Sequence, residues 1–131
     1  MSIHEKIAQL KEYFSVLPGW EEKYAYIISL GKSLSPLADE YKTDEYLVRG
    51  CQSNVWLRSY EQDGNVCFEA DSDALITKGI VALLLFVVSG HSNEDIRDTD
   101  FSFLDDIGLK SHLSMARANG LQAMIDRITH V

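Results

Sequence analysis

The sequence predicts an α+β fold, a small three-stranded antiparallel sheet with helices packed against it. Three observations lead there. Apolar residues recur at helical spacing as far as Leu34, the period falls to two between Tyr46 and Ala70, and helical spacing returns from Leu75 onward. Strands grouped between helices favour a small antiparallel sheet over a doubly wound parallel one.

Each element has its own signal. Ser2 and Glu5 form a capping-box pair, and Ile3, Ile7, Leu10 and Phe14 share one face, predicting a helix from Ile3 to Ser15. Leu17-Pro18-Gly19 ends it. Tyr24, Ile27, Ile28 and Leu34 then define a second helix from Trp20 to near Ser35-Pro36. Val55, Leu57 and Ser59 alternate with Asn54, Trp56, Arg58 and Tyr60, Asp63-Gly64 supplies a hairpin turn, and Asn65–Ala70 is the return strand. A lone hairpin is marginal, so Tyr46–Arg49 is expected as the third strand, with Cys51 at the bend that follows it. Phe68 and Cys67 should point to opposite faces.

Asp71-Ser72-Asp73 offers acceptor side chains at the start of the next helix, whose apolar run reaches Val88 before Ser89-Gly90 stops it. Ser92 to Asp95 can cap a short helix, and Phe101–Ile107 can form another. Ser114 should cap a last helix with Leu121, Met124, Ile125 and Ile128 inward.

Composition narrows the class of function. With 131 residues, 46% hydrophobic and 24% charged, the chain reads as one globular domain over residues 1–131 that needs neither disulfide nor metal to fold. Its net charge of −8, from 20 acidic and 12 basic residues, would repel phosphate backbones and anionic lipid, so neither nucleic acid nor membrane is an expected partner. The apolar run Ile80–Val88 falls well short of the ~20 residues a membrane helix needs. Met1-Ser2-Ile3-His4-Glu5 lacks the basic start and apolar core of an export signal, and the expected compartment is the reducing cytoplasm. There two cysteines are ordinarily free thiols.

Cys51, between Gly50 and Gln52-Ser53, is the candidate for chemistry. A turn with glycine lets a second protein approach a thiol closely, yet a small buried cysteine at a turn would look the same locally. Cys67 lies mid-strand without an activating neighbour, and no role is assigned to it. His4, His91, His112 and His130 are scattered, at no metal-ligand spacing. A Cys/His hydrolase would need His91 or His112 to fold onto Cys51, and an iron–sulfur scaffold would need several ligands. Arg117 would lower the thiol pKa if it packed beside Cys51.

Trp20-Glu21-Glu22-Lys23-Tyr24, Gly50-Cys51-Gln52-Ser53 with Val55-Trp56, Asp71-Ser72-Asp73-Ala74, Lys78-Gly79 and Arg117-x-x-Gly120-Leu121 together resemble the SufE family, in order along nearly the whole chain. The resemblance implies a fold shared with IscU-type scaffolds and a carrier that accepts persulfide sulfur on Cys51. The donor would be a pyridoxal-phosphate cysteine desulfurase, SufS-like or CsdA-like, which the carrier also stimulates. The acceptor would be a SufBCD-like iron–sulfur scaffold complex. A CsdE-type paralogue serving a different desulfurase is the alternative. The resemblance places Asp71, Asp73 and Arg117 in support of the cysteine loop, beside Gly50, Gln52 and Ser53. It expects no cofactor or metal in this chain, since the pyridoxal phosphate belongs to the partner, and no turnover without that partner.

Acidity alone would not make such a thiol effective. Lowering a pKa from ~8.5 to ~7 raises the thiolate fraction at pH 7 about sixteenfold, but the loss in nucleophilicity leaves roughly a threefold gain. Positioning can give far more, so the loop is expected to alternate between a state sheltered by apolar neighbours, which would protect the persulfide, and a presented one.

Overall fold

The computed structural model describes residues 1–130. Helix α1 spans Ile3–Ser15 and opens on the expected capping box, in which Ser2 Oγ accepts from the Glu5 N–H at 3.1 Å and Glu5 Oε1 accepts from the Ser2 N–H at 3.0 Å. Its Ile3, Leu10 and Phe14 are buried. Helix α2 spans Trp20–Lys32 and stops short of Ser35-Pro36. Pro36 disfavours helical torsions at Ser35, and Ser33 turns its hydroxyl back onto the Leu30 carbonyl at 2.7 Å, so the chain leaves the helix at Ser33.

A short 3-10 turn, Asp39–Tyr41, leads toward the sheet. Strands β1 (Val55–Gln62) and β2 (Asn65–Ser72) pair antiparallel through a turn at Asp63 and Gly64, both with positive φ (55° and 81°), as a primed hairpin turn requires. The third strand does not form. Tyr46–Arg49 contributes one bridge, Leu47 to Trp56, because the chain between Thr43 and Leu47 is held in turns: Tyr46 N–H donates to the Thr43 carbonyl and Leu47 N–H to that of Asp44. The hairpin needs no third strand because a helix covers it instead.

That helix is α3, Leu75–Val88, with ten buried residues from Thr77 to Val88. It packs on the sheet face carrying Val55, Leu57, Val66, Phe68 and Ala70, all buried, while Cys67 leaves by the opposite face, as alternation demands. Asp71-Ser72-Asp73 does not cap α3: its N-cap is Ala74, with no side-chain cap bond, while Asp71 pairs with Lys42 and Lys78 and Asp73 with Asn54. Helices α2 and α3 meet backbone to backbone at Gly31 and Gly79, where a β-carbon on Gly79 would fall 2.2 Å from the Ile27 carbonyl oxygen.

Three further helices close the core. Helix α4 (Asn93–Arg97) is capped by Ser92, whose Oγ accepts from the Asp95 N–H at 3.1 Å. Helix α5 is only Phe103–Asp106, shorter than Phe101–Ile107, because Asp100 binds the Ser102 N–H in a turn ahead of it and Gly108 takes a positive φ behind it. Helix α6, Met115–Thr129, starts at the Ser114 cap and buries Leu121, Met124, Ile125 and Ile128. Among the described residues no helix is long and apolar enough to cross a membrane.

Candidate functional site at the Cys51 loop

The loop that carries Cys51 is closed at its base by one backbone bond, Val48 N–H to the Val55 carbonyl at 2.8 Å. Gly50 holds φ at +96°, a left-handed torsion that side-chained residues adopt at a cost, and a β-carbon there would come within 3.3 Å of the Ala123 β-carbon. This turn sends Cys51 inward, against the helices. Its Sγ donates to the Gly120 carbonyl of α6 at 3.6 Å, beside a crevice of about 10 Å³ walled by Thr77 and Ile80 of α3 and by Ala116, Arg117, Gly120 and Met124 of α6. That volume accommodates about one water-sized group.

Burial pushes the Cys51 thiol up from its usual value, since a thiolate would lose its hydration against these walls. Arg117 does line the crevice, but it is exposed at the rim, and desolvation sets the direction. Burial in the crevice therefore favours the protonated thiol over the thiolate.

On its far side the loop is clasped to the end of β2. Asp73 accepts from the Asn54 N–H at 3.1 Å and from Asn54 Nδ2 at 3.0 Å, while Ser72 Oγ donates to the Asn54 carbonyl at 2.8 Å. Asp73 therefore supports the loop through Asn54, without touching the thiol. Asp73→Ala should loosen the clasp by about 1 kcal/mol and so raise the iodoacetamide alkylation rate of Cys51 about fivefold, with the fold retained. An unchanged rate would show that the clasp does not restrain the loop.

Asp71 lies farther off, outside the crevice lining. Burial alone would raise its pKa, but hydrogen bonds from Lys42 (3.0 Å), the Ser72 N–H (2.8 Å) and Lys78 (3.2 Å) outweigh this and hold the carboxyl below its ordinary value. The carboxylate joins the 3-10 turn, β2 and the first turn of α3. A depressed carboxyl pKa contributes stability above the unfolded value of about 3.9, and that contribution disappears as pH falls through the folded value. Asp71→Asn should cost about 1 kcal/mol at pH 7 in urea unfolding, with the difference from wild type closing below pH ~4. A difference that persists at acid pH would assign the cost to packing instead.

Other sequence candidates fall away from the thiol. Cys67 pairs with Tyr60 on the far half of β1, away from the Val55 end where the Cys51 loop closes, and both cysteines are free. His91 contacts the Met1 and Val88 carbonyls, and His112 stacks on Trp20 with ring centroids 3.8 Å apart. Neither lines the Cys51 crevice, so the hydrolase reading lacks its base. The crevice also offers no second Cys, His or carboxylate among the described residues, so the scaffold reading lacks its ligand set.

Residues that sequence reasoning missed do much of the positioning. Asn54 stands out only as a polar residue at the start of β1, and Thr77 and Ile80 read as ordinary helix residues. Arg127 donates to the Leu47 and Glu45 carbonyls at 3.3 Å each, fastening the arm before the loop to α6. Its partners are backbone atoms some eighty positions away, a contact no local pattern signals.

Fold and site together define a small α+β protein that keeps one thiol on a loop turned inward at Gly50, with no base or metal ligand beside it among the described residues. The SufE family, described as an Fe-S metabolism associated domain, matches residues 8–131. The chain belongs to this family, and a sulfur-transfer role in general terms comes with it. It is 42% identical over 125 residues to an uncharacterized SufE-like protein of Rhizobium etli, covering 92% of this chain and 84% of that one. An uncharacterized SufE-like protein of Rhizobium meliloti is 41% identical over 125 residues, covering 92% and 89%. The solution structure of a hypothetical protein from Thermus thermophilus superposes with a TM-score of 0.79 over 95% of this chain and 91% of that one, and at 22% identity it attests the fold alone.

Proposed function

We propose that this protein is a persulfide carrier of the cytoplasm. Cys51 takes sulfur from a pyridoxal-phosphate cysteine desulfurase, SufS-like or CsdA-like, and hands it to a SufBCD-like iron–sulfur scaffold complex, stimulating the desulfurase by clearing its persulfide. The observation that carries this reading is a half-buried thiol on a clasped loop turned at Gly50, with no base and no second thiol in its crevice. Such a thiol is poorly equipped to turn over a substrate unaided. It is well placed to be withdrawn and then presented.

In the transfer step the Cys51 thiolate attacks the terminal sulfur of the partner's persulfide. A new S–S bond forms on Cys51, the partner's S–S bond breaks, and its electron pair leaves on the desulfurase cysteine, with no net oxidation. Docking supplies most of the rate, by moving the loop out of the crevice and aligning two sulfurs that would otherwise meet at random.

The test is incubation with a cysteine desulfurase, pyridoxal phosphate and L-cysteine, followed by intact mass and peptide mapping without reductant. One added sulfur on Cys51 is expected. No added sulfur, or sulfur mapped to Cys67, would overturn the carrier assignment.

A further inference from the structure

The crevice suits the unloaded thiol and not the loaded one. Sγ holds its place there as a donor to the Gly120 carbonyl at 3.6 Å. Once Sγ carries a second sulfur it has no proton to donate, and that bond is lost. The new terminal sulfur is the stronger acid, because the adjoining sulfur weakens its S–H bond and spreads the charge, so near neutral pH it is an anion. Inside, that anion would face the Gly120 carbonyl oxygen and the apolar walls of Ile80 and Met124, with only the neutral side chains of Thr77, Gln52 and Ser53 as polar company, in a space of about 10 Å³. A charge buried without an opposite charge beside it is far costlier than a buried thiol. Among the residues lining the crevice, on the loop, α3 and α6 alike, the one ionisable side chain besides Cys51 is Arg117. Its cation lies exposed at the rim and attracts the anion outward rather than deeper.

We propose that the charge on the sulfur sets the loop, the neutral thiol being held in the crevice and the anionic persulfide expelled to the rim and presented. This deepens the carrier reading and rests on it. It also reverses the expectation that the crevice protects the cargo: the empty carrier is the sheltered one. Because the crevice binds only the unloaded form, its closure after discharge favours transfer onward to the acceptor, by the same differential affinity that opens the loop on loading.

The test reads loop opening without a desulfurase, so that failure of this idea and failure of the carrier reading are distinguishable. Amide exchange of the peptide spanning Arg49 to Asn54 is followed by mass spectrometry in Cys67→Ser protein, before and after loading of Cys51 by inorganic polysulfide, with the added sulfur confirmed by intact mass. The near-isosteric pair Cys51→Asn and Cys51→Asp is measured alongside, since Asn can donate to the Gly120 carbonyl and Asp brings only charge. The loaded protein and the Asp variant are expected to exchange about tenfold faster than the unloaded protein and the Asn variant, as loss of a hydrogen bond and burial of an unpaired charge require. Equal or slower exchange after loading would overturn the proposal, whatever the variants show. Fast exchange in both variants would overturn it too, because charge would then not be the cause.

Discussion

Cys51→Ser is expected to abolish sulfur capture outright while leaving the fold within about 1 kcal/mol of wild type. Serine's hydroxyl can donate to the Gly120 carbonyl in place of the thiol at 3.6 Å, so the loop keeps its seat. What disappears is the sulfur nucleophile, since an alcohol of far higher pKa does not attack a persulfide at neutral pH. Under desulfurase turnover the variant should gain no sulfur and give no stimulation, while Cys67→Ser should behave as wild type. Sulfur uptake by Cys51→Ser would place the accepting thiol elsewhere. The free wild-type protein should also show a pH-rate profile for alkylation displaced above that of an ordinary thiol, because burial raises the Cys51 pKa. Added desulfurase should shift the profile back down by drawing the loop out of the crevice.

Gly79→Ala should lower the unfolding free energy by about 3 kcal/mol, the upper end of what overpacking ordinarily costs. Local propensity predicts the opposite sign, since alanine exceeds glycine by about 1 kcal/mol inside a helix. The tertiary contact decides. A β-carbon on Gly79 would lie 2.2 Å from the Ile27 carbonyl oxygen and 2.7 Å from Ile27 Cγ2, so α2 and α3 must part or α3 must bend. Because Thr77 and Ile80 of α3 line the crevice, the same shift should also raise Cys51 alkylation. Gly64→Ala is the comparison: its β-carbon meets nothing within 4 Å, and only the strain of φ +81° remains, about 1–2 kcal/mol. Urea unfolding of both variants checks the order, and a Gly79→Ala protein no less stable than Gly64→Ala would refute the close approach.

The helices were legible in the sequence because each is a local event. The Ser2–Glu5 box, the stripe of Ile3, Leu10 and Phe14, and the Ser92 and Ser114 caps lie within a turn or two of what they control. The hairpin was legible for the same reason, with Asp63-Gly64 supplying two positive torsions in succession. The third strand failed because Tyr46–Arg49 has the composition of a strand but competes with turns between Thr43 and Leu47, and the balance is struck by packing. The ends of α2 and α5 were misjudged where a serine or aspartate bonded the backbone just outside the helix.

By itself, then, the sequence determined the α+β class and the order of helices and hairpin, and it singled out Cys51 as the candidate thiol, through motifs that resemble one family along the chain. It could not determine the state of that thiol. Arg117 would have lowered the pKa had it packed beside the thiol, and the fold instead set Sγ against the Gly120 carbonyl and the walls of α3 and α6, where desolvation raises it. The same holds for the Asn54–Asp73 clasp, 19 positions apart, and for Arg127 on the Leu47 carbonyl, 80 apart. The physical reason is one of range. Caps, turns and periodicity act over a few residues, whereas the electrostatics of a buried sulfur depend on whatever backbone the folded chain brings beside it.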